Sequence, residues 1–135
     1  MRRTLPNWFI NFLFSSYPAY RKSVKMIHHN IKEFAKRLWP QLVVLDGLVC
    51  VEGDGPIDGT PVTMNIAIAS TDPVKADGLA ARLIGLDPED IGYLYYLQQE
   101  GMGSYSLDGC VGENVAAHQR TFKMHGTYDI QRQWK

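Results

Sequence analysis

The sequence predicts an α/β domain: a small open sheet of three to four strands flanked by helices, incomplete until a partner surface covers it. Three observations carry that expectation. Residues 42–52, LVVLDGLVCVE, are dense in β-branched and aliphatic side chains, the composition of a buried strand, and 63–70, TMNIAIAS, alternates with the period of two that marks a strand. Apolar residues spaced by three and four between Lys22 and Leu38 mark an amphipathic helix ahead of the first strand. Two Asp-Pro pairs, Asp72-Pro73 and Asp87-Pro88, each carry the cap and first-turn proline that open a helix.

A chain of 135 residues is one domain's worth, long enough to bury a core without staples. Its 45% hydrophobic and 21% charged content argues for a globular fold rather than a disordered one. Cys50 and Cys110 form neither a framework nor a CxxC pair, so both read as reduced thiols in a cytoplasm. Met1-Arg2-Arg3 leads an apolar run from Trp8 to Phe14, but Asn7 and Asn11 break it up. Tyr17-Pro18 stands where a cleavage site needs small residues. The run also falls far short of the roughly 20 residues of a spanning helix. Neither secretion nor a membrane span is expected.

A net charge of zero hides an asymmetry. Residues 1–38 carry eight Lys/Arg against Glu33 alone, a net of plus seven, and residues 39–135 carry the compensating minus seven. A basic arm could meet nucleic acid or anionic lipid. The neutral sum and a pI near 6.9 favour docking on the acidic remainder of this chain or of a neighbour, and nucleic acid is not the expected partner.

Along the chain, Val24, Ile27, Ile31, Phe34 and Leu38 form the apolar stripe of the first helix, with Lys25, Lys32 and Lys36 elsewhere on its surface; Pro40 stops it. Within the first strand, Asp46-Gly47 is either a break or a bulge. EGDGPIDGTP, residues 52–61, reads as a loop longer than the two to five residues of a plain hairpin. The second strand alternates Met64, Ile66 and Ile68 on one face. Gly85 sits where a left-handed C-terminal cap belongs. Ile91, Leu94, Tyr95 and Gln98 define the next helix, closed by Gly101, and residues 107–111 suggest a last strand. The implied organisation is a basic aromatic arm at 1–21, an α/β core at 22–112 and a polar tail at 113–135. So small a sheet leaves an edge exposed, which points to a homo-oligomer or a partner subunit.

The run DGLVCVEGDGPIDGTPVTMNIAIASTDPVKADGLAARLIGLDPEDIGYL resembles a large prokaryotic family catalogued as domain of unknown function 362. Three blocks carry the likeness: Asp46-Gly47 followed by EGDGP, STDPV at 70–74 with Asp77, and IGLDPEDI. The helix bearing His28 and His29 is similar to that family's approach to the first block, so the resemblance spans about residues 20–112. Members look about twice this long, and many carry ferredoxin-type cysteine clusters that this chain lacks. The resemblance therefore implies a redox and iron–sulfur context without an established reaction, and no iron–sulfur cluster is expected in this chain.

The sharpest candidate constellation is acidic. If the strand ends lie together, Asp46, Glu52, Asp72 and Asp77, with Asp54 nearby, would converge as oxygen ligands for a hard divalent cation. The plainer alternative makes Asp72 a helix cap and Glu52 and Asp54 solvated loop acids. Asp77 lies at the margin of its helix's apolar arc, where a carboxylate needs partners; hydrogen bonding that locks the Gly-rich loop would supply them. Gly53, Gly55 and Gly59, with Ser70 and Thr71, are the candidate ligand-binding residues, because glycine loops can turn backbone N–H groups onto an anion. The glycine spacing matches no nucleotide loop, and the loop's own carboxylates would repel phosphate unless a cation bridged them.

His28 and His29 point about 100° apart on a helix, and His118 and His125 lack ligand spacing. All four read as solvated or core histidines, and Cys50 as core. Trp8, Phe9, Phe12 and Phe14 suit core or subunit packing, or else a lipid surface. The leading expectation is a domain that binds a divalent cation or small anionic ligand at the EGDGP and STDP loops. By resemblance alone it belongs with a redox-associated enzyme, and whether it is itself an enzyme stays open. The alternative is a non-catalytic assembly subunit completed by oligomerisation or by a partner chain.

Overall fold

A computed structural model of the chain describes residues 20–135 and is organised on one long hairpin. The basic arm assigned to residues 1–21 lies outside the described residues up to position 19. β1 (Val43–Asp54) pairs antiparallel with β2 (Asp58–Ser70), in a register from Val43 opposite Ser70 to Asp54 opposite Asp58. The long loop expected at 52–61 is instead a three-residue turn, Gly55–Ile57, because both strands run on through the glycines. Gly53 takes a left-handed φ of 74°, and a side chain at Gly59 would collide with Val51 across the ladder.

The Asp46-Gly47 irregularity is a bulge. Gly47 pairs with Ile66 and Val49 with Thr63, so Leu48 alone opposes both Met64 and Asn65. Asn65 absorbs the extra residue at φ 53°, which asparagine tolerates better than most side chains. Within β1, Asp46 Oδ1 accepts the Leu48 N–H at 3.0 Å.

Among the described residues the sheet has two strands, not three or four. Residues 107–111 form turns: Ser106 Oγ donates to Asp108 Oδ2 at 2.6 Å, the Cys110 N–H reaches the Leu107 carbonyl, and Gly109 has φ 75°. The mixed α/β class holds. α1 (Tyr20–Arg37) precedes the hairpin; α2 (Pro73–Leu83), a 3-10 turn (Pro88–Asp90), α3 (Gly92–Gln99), α4 (Val115–His118) and α5 (Tyr128–Gln131) follow it.

One hairpin face carries the core. Met64 and Ile68 of β2 pack on Ala76 and Leu83 of α2 and on Phe122, all buried. A second cluster joins Val74 of α2, Leu94 and Leu97 of α3, and Tyr105, with Ala35 and Trp39 against it. The opposite hairpin face is different: Val44, Leu48, Val49 and Val51 are 68%, 57%, 62% and 49% exposed. Both strands together hold four acids, Asp46, Glu52, Asp54 and Asp58, and no Lys, Arg or His.

α1 sits one residue round from its expected orientation. Val24, His28, Lys32, Ala35 and Trp39 turn inward, whereas Ile31 and Leu38 of the expected stripe are 38% and 72% exposed. Polar partners on α3 and at its C-cap, Glu100, fix this choice. Lys32 Nζ meets Glu100 Oε1 at 2.8 Å, Lys36 Nζ meets Glu100 Oε2 at 2.6 Å, and His28 Nδ1 accepts the Tyr93 N–H at 3.2 Å.

The polar segment 113–135 is held onto the core. Arg120 N–H bonds Leu83 O, Phe122 N–H bonds Ile84 O, and Lys123 O accepts the Gly53 N–H at 2.8 Å. Trp134, 2% exposed, donates from Nε1 to the Asp90 carbonyl at 2.7 Å and meets the rings of His28, Tyr95 and Tyr96.

Candidate functional site

The hairpin separates the acids that the sequence suggested as one site. Its strands are antiparallel, so the carboxyl end of β1 lies at the turn and that of β2 at the far end. Glu52 pairs with Thr60, and the ten residues from there to Ser70 span roughly 30 Å at the strand rise. Asp46 lies opposite Ala67 on the exposed face. The expected convergence required parallel strand ends, and the hairpin removes them. Among the described residues, no three His, Cys, Asp or Glu side chains stand close enough to hold a metal ion.

Each of these acids has a local partner. Glu52 Oε2 accepts the Lys123 N–H at 2.9 Å, tying the C-terminal segment to the hairpin tip. Asp54 lies 3.6 Å from His125 Nε2. Asp72 accepts the Val74 and Lys75 N–H groups with Oδ1, at 2.9 and 3.2 Å, and the Ser104 N–H with Oδ2 at 2.9 Å. It caps α2 and anchors the 103–105 segment together, with its own N–H held by Ser70 Oγ at 3.0 Å. Gly103 has φ 90°, and a side chain there would collide with the Asp72 carboxylate.

Asp77 does not lock the glycine loop; its Oδ2 accepts the Tyr93 hydroxyl at 2.8 Å, joining α2 to α3. Burial pushes the Asp77 carboxyl up, and the Tyr93 hydrogen bond opposes that shift. Burial, then the neighbouring carboxylate, pushes the Tyr93 phenol up. His28 is pulled down to about 4, first by burial and then by His29, which keeps its ring neutral and accepting. Tyr93 and Trp134 went unnoticed in sequence, since each acts on a partner more than a dozen residues away.

The glycines do turn and packing work. The Gly53 N–H already bonds Lys123 O, and Gly55 and Gly59 lie against the Val51 side chain. Ser70 and Thr71 open onto something larger: a cleft of about 930 Å³ between β2, α2 and residues 108–118. It is lined by the unbroken run Asn65–Asp72, by Leu79 and Leu83 on its floor, and by Gly109–Glu113 opposite. Lys75 Nζ donates to the Asp108 carbonyl at 2.5 Å and holds that far wall in place. Cys110 in the wall is an exposed free thiol, and Cys50 in β1 is half-buried and free.

Among the described residues, no helix is long and apolar enough to cross a membrane. The chain is similar to the thylakoid-associated protein sll1697 of Synechocystis sp. (strain ATCC 27184 / PCC 6803 / Kazusa). The two are 37% identical over 59 residues, 44% of this chain and 18% of that relative. The chain thus spans less than a fifth of the length of the curated relative it matches. No solved structure matches it. The model of the family described as Domain of unknown function (DUF362) matches residues 10–82, more than half of the chain and the whole hairpin, ending inside α2. This chain is a member of the DUF362 family.

Proposed function

We propose that this domain is an assembly module, and that a second copy of the chain covers the outer face of the hairpin. One observation carries the reading: Val44, Leu48, Val49 and Val51, spread along β1 with Asp46 among them, are each about half exposed or more. Exposed apolar residues gathered on one face mark interaction surfaces. Small cross-strand neighbours, Ala69 opposite Val44 and Ala67 opposite Asp46, keep the face flat enough for another sheet to approach.

A twelve-residue, two-stranded face measures roughly 40 by 10 Å, or about 400 Å² per partner. That is half of a standard interface, so association in the micromolar range is the expected strength. Two free thiols suit a reducing compartment such as the cytoplasm. Cation binding by Asp46, Glu52, Asp72 and Asp77 has less support, because the hairpin separates them and three of the four accept backbone hydrogen bonds. A redox context rests on family likeness alone.

Sedimentation velocity across micromolar concentrations tests the reading. Reversible association of the wild-type chain, abolished in a Leu48→Lys/Val49→Lys variant that still melts cooperatively, is the expected result. A wild-type chain that stays monomeric throughout while melting cooperatively would overturn it.

A further inference from the structure

We infer that the cleft beside β2 binds an extended peptide by strand addition to the free edge of β2. The site is separate from the outer hairpin face and does not depend on it.

The shape of the cleft argues for a strand. Its lining includes every residue from Asn65 to Asp72. Consecutive strand residues point to opposite faces, so a cavity that touches all of them opens along the strand's edge and not over one face. An antiparallel strand turns alternate N–H and C=O groups away from its partner. Among the described residues, no main-chain group of β2 bonds anywhere but to β1. A row of unpaired backbone groups is a template for another backbone. The edge of β1 differs, because Lys123 already takes its Gly53 N–H.

The remaining walls fit the same occupant. Leu79, half-buried, gives an apolar floor for side chains of an added strand, beside the buried Ala76 and Leu83. The far wall is rich in glycine, and the Val111 side chain in it is 99% exposed. Asn65 to Ser70 is six residues, roughly 20 Å of strand, and 930 Å³ lies within the range of specific binding clefts. Asp72, Asp108 and Glu113 border the cleft, and Lys75 is held on the Asp108 carbonyl. The matching peptide is therefore extended, alternately apolar and basic at its ends.

The test uses the full chain and a capped peptide, acetyl-Lys-Val-Thr-Val-Thr-Val-Lys-amide, with hydrogen–deuterium exchange read at residues 65–70. The expected result is saturable binding that slows exchange at alternate β2 amides about tenfold. A peptide N-methylated on its valine amides should lose that protection, and the Leu48→Lys/Val49→Lys variant should retain it. Three outcomes would each overturn the inference: unchanged exchange at 65–70 with millimolar peptide, equal protection by the N-methylated peptide, or protection that grows with protein concentration in the absence of peptide. The last would assign the edge to a second copy of the chain.

Discussion

Asp77 and Tyr93 show how a side chain that looks like a ligand in sequence becomes a tie between helices. The carboxylate is largely buried and its pKa is raised, chiefly by burial, so at neutral pH its charge costs stability. A group of this kind contributes stability below its ordinary 3.8 that is lost as pH rises through the folded value. Asp77→Asn keeps an oxygen for the Tyr93 hydroxyl without the charge. At pH 7 it is expected to be neutral or to stabilise by up to about 1 kcal/mol in urea unfolding. Tyr93→Phe removes the donor instead and should cost about 1–2 kcal/mol.

His28 behaves in the opposite sense. Its folded pKa is depressed from 6.5 to about 4, so the unfolded chain binds more protons between those values. The stabilisation is whole above pH 6.5 and is lost as pH falls toward 4. Solvent still reaches the ring, which limits the effect to roughly 1–2 kcal/mol. Urea midpoints measured between pH 7 and 4.5 should fall in the wild-type chain and fall less in His28→Gln, which keeps an acceptor for Tyr93. The cap at Asp72 was legible from Asp-Pro. The partners of Asp77 and His28 were not, since no local pattern links position 77 or 28 to position 93.

Elements were more legible than their faces. The helix before the hairpin, both strands and the Asp72-Pro73 opening are where the pattern put them, whereas Asp87-Pro88 opens a 3-10 turn and the helix after it starts at Gly92 without a side-chain cap. α1 still turned by a residue, because its environment is set by Glu100 and Tyr93, far along the chain. The turn was misjudged for a related reason: EGD and DGTP have poor strand propensity, yet the ladder from Glu52 to Thr60 holds them extended. Gly78 on α2 lets Tyr105 approach closely. A side chain at Gly78 would collide with the Tyr105 Cβ. Gly78→Ala is expected to destabilise by about 1–3 kcal/mol, seen as a lower midpoint in urea at unchanged slope.

At the scale of the whole molecule, the polar C-terminal stretch closes the structure. Phe122, 8% exposed, completes the core between hairpin and α2, and Trp134 seals α1 against α3. These anchors are twelve residues apart in a polar, aperiodic segment, so no pattern announced them. Phe122→Ala should cost about 3–5 kcal/mol by leaving a cavity at that junction. Calorimetry should show one lowered transition, because the segment unfolds with the rest. The missing third strand was the other illegible feature: residues 107–111 have strand-like composition, but Gly109 and the Ser106–Asp108 bond fold them into turns.

The hairpin's one-signed charge has a colloidal consequence. An open strand edge and an apolar face are ordinarily guarded by lysines that repel stray strands; here Asp46, Glu52, Asp54 and Asp58 do that work alone. Their mutual repulsion reaches about 30 Å in dilute buffer and only about 3 Å at molar salt. Two such faces brought together should therefore associate more tightly as salt is raised.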